Sequence, residues 1–141
     1  MGGSNICCNI ITTEPYLIRL GNNVTISGNV VFVTHDNSLS KVSSEYVNLF
    51  GYITVGDNCF LGQNTTIMYG CTLANNIIVA SGSVVCNSFT EENIIIAGNP
   101  ARKVGTWDSL KNKGSMSMKR NEAFLAAKNE EYWKFIKRKE K

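Results

Sequence analysis

The sequence predicts an all-β chain wound as a parallel β-helix of hexapeptide coils, carrying one protruding loop and a helical tail. Three observations lead there. An aliphatic residue recurs every six positions at Val55, Leu61, Ile67, Leu73, Val79 and Val85. Three residues after most of these stands a Gly or Asn, namely Asn58, Asn64, Gly70, Asn76 and Gly82, before Ser88 ends the pattern. Four residues after them stands a mostly small residue, at Cys59, Thr65, Cys71, Ile77 and Ser83.

A step of six residues, one short strand and one turn, makes one side of a triangular coil, and three steps return the chain to its starting edge. Each corner needs a residue that accepts left-handed φ/ψ, which Gly and Asn do most cheaply. The aliphatic position points into the prism and the small position leaves room beside it. Leu20, Ile26 and Phe32 begin the same theme, with Asn23 and Asn29 three residues after the first two. Stacked coils protect one another's edges and expose only the two ends.

The register breaks between Phe32 and Val55, so a loop of about Asp36 to Phe50 leaves the prism and returns, with Tyr46 and Phe50 as expected anchors. A second bulge is expected from Phe89 to Asn93, before Ile94-Ile95-Ile96 resumes and Ala97-Gly98-Asn99-Pro100 ends the coils. The expected organisation is a β-helix domain over residues 1–105 and an extension over 106–141. In the extension one helix over about 118–138 aligns Phe124, Leu125, Tyr132, Phe135 and Ile136 as an apolar stripe that caps or embraces the prism.

Composition narrows the function classes. The 141 residues are 43% hydrophobic and only 18% charged, with a net charge of +3. Much of the basic excess sits near the end, at Lys134, Lys137, Arg138, Lys139 and Lys141. No basic stripe tracks phosphates, which argues against nucleic acid. No apolar run reaches the length of a membrane span, and no leader pattern is present. Five cysteines without a CxxC pair read as free thiols, which points to a cytoplasmic protein. With one histidine, no metal centre is expected, and a zinc site of three histidines is excluded within one chain.

Four stretches carry a family likeness: Pro15-Tyr16-Leu17-Ile18-Arg19-Leu20-Gly21, Thr34-His35-Asp36, Val55-Gly56-Asp57-Asn58-Cys59-Phe60-Leu61-Gly62 and Ala97-Gly98-Asn99-Pro100-Ala101-Arg102. Over about residues 9–104 the chain resembles the hexapeptide-repeat acyltransferases, within them the maltose, galactoside and polysaccharide O-acetyltransferases. The resemblance implies a left-handed wind, acetyl-CoA as co-substrate, and direct transfer to a sugar hydroxyl in a ternary complex. It also implies a homotrimer in which His35 of one subunit faces a donor groove of the next.

His35, three residues after Phe32 and therefore expected at a corner, is the candidate general base. Asp36 is a candidate orienter of its imidazole. Position matching to the family places the donor at Gln63, Ala80 and Ser81, with Arg102 and Lys103 on its phosphates. It places the sugar at Asn9 and Glu14. Trp107 could stack on adenine or pack against the tail. The sequence departs from the family where Gly82-Ser83-Val84-Val85 leads into Cys86-Asn87 instead of Thr-Lys, which removes one phosphate contact. Cysteine nucleophiles are disfavoured, because Cys59 and Cys71 fall on inward positions and Cys7, Cys8 and Cys86 have no histidine near them in sequence. Two other readings stay open: N-acetylation of a nucleotide-linked amino sugar, and a β-helical scaffold without catalysis.

Overall fold

The computed structural model describes residues 5–6, 10–114 and 119–129. The chain divides into two compact units, residues 1–105 and 106–141. The first is the coiled unit. Its opening coils hold β1 (Asn5–Ile6), β2 (Ile18–Leu20), β3 (Thr25–Ile26) and β4 (Val31–Val33). The loop carries β5 (His35–Asp36) and β6 (Leu49–Phe50). The later coils hold β7 (Ile53–Val55), β8 (Phe60–Leu61), β9 (Thr66–Met68), β10 (Thr72–Leu73), β11 (Ile77–Val79) and β12 (Val84–Val85). β13 (Ile94–Gly98) and β14 (Ala101–Thr106) close the series.

Three sheets form the sides. β2, β7 and β10 stack in parallel, as do β4, β9 and β12, while the third sheet runs β1-β3-β8-β11-β13-β14. Their registers repeat the hexad ladder. Val55 lies beside Leu73, Leu61 beside Val79 and Ile67 beside Val85, one eighteen-residue coil apart in each case. Leu20, Ile26 and Phe32 lie beside Val55, Leu61 and Ile67 across the loop.

The inward side chains are the aliphatic and small positions of the hexads. Phe32, Val55, Leu61, Ile67, Leu73, Val79 and Val85 are buried, and so are Cys59, Thr65, Cys71, Ile77 and Ser83. Six asparagines, Asn23, Asn29, Asn58, Asn64, Asn76 and Asn93, have φ between 55° and 61°, and Gly70 and Gly82 have φ of 80° and 75°. The corner residues therefore adopt the left-handed backbone that their chemistry permits. One corner is further tied by side chains, where Asp57 accepts from the Asn22 backbone N–H and Asn75 from that of Asp57, each at 2.8 Å.

Two expectations are corrected. Phe89 does not bulge out: it bridges Leu73 and packs on the core, because its ring takes the slot that follows Val85. The register shifts twice here: Phe89 meets Leu73 two residues short of a full coil, and beyond the turn from Thr90 to Asn93 Ile96 pairs with Val79 one residue short. The loop is also more ordered than a bare excursion. β5 and β6 pair antiparallel, and a 3-10 turn spans Ser38–Lys41. Its expected anchors are not buried, since Tyr46 and Phe50 are 60% and 57% exposed.

In the second unit α1 spans Trp107–Lys111 and begins in a capping box between Thr106 and Ser109. α2 spans Arg120–Lys128, within the helix expected over 118–138. The expected stripe at Phe124, Leu125, Tyr132, Phe135 and Ile136 lies outside the residues whose side chains are described.

Candidate functional site

The site forms where the first coil runs under the exit of the loop. Ile11 bridges Val31, and its carbonyl accepts from the Phe32 N–H at 2.9 Å. The first coil is thereby stitched to β4, which carries Thr13 and Glu14 to the level of Thr34 and His35. A 3-10 turn over Pro15–Leu17 then leads Glu14 into β2.

Glu14 Oε1 lies 2.7 Å from His35 Nδ1, with the glutamate side chain 13% exposed and the imidazole 33%. The buried Thr34 hydroxyl donates to Glu14 Oε2 at 2.5 Å, and the Thr13 hydroxyl donates to the same oxygen. These bonds, Thr13 first, Thr34 next and His35 after them, hold the Glu14 carboxyl below its ordinary value despite partial burial. With an ionised acceptor at Nδ1, the imidazole carries its proton there, and Nε2 is its basic nitrogen.

His35 is not a left-handed corner residue. It begins β5 and lies opposite Phe50, while Asp36 lies opposite Leu49. The Gly51 N–H closes the base of this ribbon on the Thr34 carbonyl at 3.2 Å. The His35 and Phe50 ring centroids are 5.6 Å apart and tilted by 39°. Asp36 does not orient the imidazole. Its carboxylate accepts the Ser38 backbone N–H at 2.7 Å, and that bond lowers its pKa. Glu14, expected at the sugar, is bonded to His35. Beside the pair is a hollow of about 280 Å³, whose wall includes Ile11, Val31, Val33, Thr13 and Thr34.

Of the donor candidates, Gln63, Ala80 and Ser81 share another corner. Gln63 and Ser81 are stacked one coil apart, with the Gly82 N–H bonded to the Gln63 carbonyl at 2.8 Å. Ala80 accepts from the Ser83 hydroxyl at 2.6 Å and donates its N–H to Ile96 at 2.9 Å. A Cβ on Gly62 would stand 2.6 Å from the Ser81 nitrogen, so glycine permits this close stacking. Arg102 and Lys103 are exposed on β14. Lys103 is paired with Glu91 at 2.7 Å, a partner that the sequence did not single out.

Within one prism these groups do not converge on His35. The donor corner precedes β9 and β12, whereas His35 follows β4 on the same face, so a strand of three residues, about 10 Å, lies between the two edges. Asn9, Cys7 and Cys8 lie outside the described residues. Cys59 and Cys71 are buried, and burial pushes both thiols up, as suits packing groups. Among the described residues no three His, Cys, Asp or Glu side chains are grouped as a metal centre, and no helix is long and apolar enough to cross a membrane.

Residues 52–86 match the family described as the hexapeptide repeat of succinyl-transferase. The chain is 41% identical over 103 residues to Protein CapG of Staphylococcus aureus, an alignment that covers 72% of this chain and 59% of CapG. It is 26% identical over 97 residues to the galactoside O-acetyltransferase of Escherichia coli strain K12, covering 68% of this chain and 47% of that protein. The chain thus spans about half the length of these two relatives. Among solved structures it superposes on a hexapeptide-repeat acetyltransferase of Vibrio cholerae complexed with acetyl coenzyme A. There the TM-score is 0.55 at 22% identity, covering 74% of this chain and 69% of the other. At that identity the likeness concerns the fold.

Proposed function

Because the chain belongs to the hexapeptide-repeat acyltransferase family, we propose that it transfers an acetyl group from acetyl-CoA to a hydroxyl of a sugar or polysaccharide precursor, with His35 as general base. The observation that carries this reading is the Glu14–His35 pair at 2.7 Å, which holds the imidazole with Nε2 as its base.

His35 Nε2 takes the proton of the acceptor hydroxyl as that oxygen attacks the thioester carbonyl. The new C–O bond gives a tetrahedral oxyanion, which a backbone N–H of a coil edge stabilises. The C–S bond then breaks, and the imidazolium returns its proton to the departing CoA thiolate. Glu14 stabilises the imidazolium between these steps and does not itself change protonation.

The donor lies along Gln63, Ala80 and Ser81, with its phosphates toward Arg102 and Lys103. Since this corner and His35 occupy different edges of one prism, the active site forms between subunits of a homotrimer with the left-handed wind of the family. Closed three-fold symmetry suits such a prism. That the structural neighbour from Vibrio cholerae is complexed with acetyl-CoA agrees with the choice of donor, and the galactoside O-acetyltransferase supports a sugar hydroxyl.

The test is release of CoA thiol from acetyl-CoA over a panel of sugars and their 2-amino counterparts, with sedimentation to establish the assembly. Hydroxyl acceptors should turn over and His35→Ala should lose that turnover while acetyl-CoA still raises the melting temperature. Turnover of amino sugars alone would replace this reading with N-acetylation. Binding without any turnover would leave the scaffold reading.

A further inference from the structure

We propose that Arg19, held across the face of Tyr52, anchors an oxyanion on the acceptor, so that the sugar accepted at His35 is an acidic or phosphorylated one. This specificity rests on the sugar acetyl-transfer reading above.

Arg19 is the outward residue of β2, set between Ile18 and Leu20, which face the core side. Its neighbour in the adjacent strand is Thr54, which carries no charge. The guanidinium carbon lies 4.1 Å from the Tyr52 ring centroid. A guanidinium over an aromatic ring is held there by the charge distribution of the ring, and its N–H donors remain available to a partner.

No carboxylate among the described residues takes that place. The two ion pairs found there are Glu14 with His35 and Glu91 with Lys103. Of the carboxylates nearest in the chain, Glu14 is spent on Thr13, Thr34 and His35, and Asp36 on the Ser38 N–H. The cation is therefore exposed and belongs to neither of the ion pairs found among the described residues.

Its placement ties it to the site through two chain segments. Glu14, which holds His35, is five residues before Arg19 and joined to it by the 3-10 turn. Phe50, whose ring meets that of His35, is two residues before Tyr52, an extended step of about 7 Å. An acceptor with its hydroxyl at Nε2 can thus extend along this edge toward the guanidinium fork. Such a fork matches the paired oxygens of a carboxylate or a phosphate.

Matched acceptors separate the two sources of the anion: galactose against galacturonic acid, and N-acetylglucosamine against N-acetylglucosamine 1-phosphate. Turnover is followed by CoA thiol release, and binding by saturation-transfer NMR with CoA present, for the full chain and for Arg19→Gln and Arg19→Lys. The anionic member of at least one pair should be preferred, by kcat/KM or by affinity, on the order of ten-fold. Arg19→Gln should bring that ratio close to one, and Arg19→Lys should leave an intermediate ratio because it keeps charge without the fork. Equal use and equal binding within both pairs, or a preference that survives Arg19→Gln, overturns the proposal. Arg19-dependent binding of an anionic sugar without turnover sustains it and removes the acetyl-transfer reading instead.

Discussion

Glu14 stands under His35 and takes its Nδ1–H at 2.7 Å, although the two residues belong to successive coils. The contact joins the first coil to the start of the loop, so the orientation of the imidazole depends on how those coils stack. A carboxylate in this position stabilises the imidazolium that forms when the base accepts a proton. Replacing it should therefore lower kcat more than it changes KM for the acceptor.

Glu14→Gln should reduce kcat on a sugar acceptor by roughly ten- to a hundred-fold, and His35→Ala by about 10²- to 10⁴-fold, the range of general-base catalysis. Asp36→Asn should change kcat by less than about three-fold, because Asn can still accept the Ser38 N–H that Asp36 now accepts and the imidazole is untouched. Steady-state kinetics on the three variants checks this. A larger loss in Asp36→Asn than in Glu14→Gln would reverse the assignment of the orienting carboxylate.

Stability should also report the same carboxylate as pH changes. Glu14 is held below its ordinary 4.5, first by the Thr13 hydroxyl and next by Thr34. Its favourable interactions are present above about pH 4.5, where even the unfolded chain is ionised. They are lost as pH falls through the lower folded value. Urea unfolding from pH 7 to pH 3 should therefore show the stability difference between the native chain and Glu14→Gln shrinking on acidification below pH 4.5. A constant difference across that range would show that Glu14 contributes through packing alone.

The donor end offers a separate measurement. Lys103 is bound by Glu91 at 2.7 Å, with both side chains well exposed. Solvent screening makes such a pair weak, so an incoming phosphate can displace the carboxylate. Glu91→Gln should tighten acetyl-CoA by a few-fold, and Lys103→Ala should weaken it, both read by calorimetry. At about 100 times its dissociation constant the donor should stabilise the fold by roughly 2.7 kcal/mol. If Glu91→Gln leaves the affinity unchanged, Lys103 does not reach the phosphates.

The coils were legible in the sequence because their physics is local and periodic. Left-handed Asn23, Asn58 and Asn64, and inward Leu61 and Val79, follow from residue type at a six-residue spacing. What the spacing left out depends on packing between coils. Ile11 meets Val31 at an offset that is not a multiple of six, so the placement of Glu14 on His35 is not encoded in the hexads. The pairing of His35 with Phe50 was equally hidden, since only the folded ribbon brings residues from the two ends of the loop together. For the same reason Glu91 escaped notice until Lys103 folded against it.

Core substitutions should separate the prism from the chemistry. Leu61 is fully buried and paired with both Ile26 and Val79, so Leu61→Ala removes apolar contacts in the middle of a stack. Loss of such a side chain costs about 2 to 5 kcal/mol. Gly62→Ala, one residue on, places a methyl carbon 2.6 Å from the Ser81 nitrogen, so the coil above must shift. Leu61→Ala should lower the unfolding midpoint while acetyl-CoA affinity, measured well below that midpoint, changes little. Gly62→Ala should weaken acetyl-CoA as well, because the displaced coil carries Ala80 and Ser81. Equal donor affinity in the two variants would move the donor away from this corner.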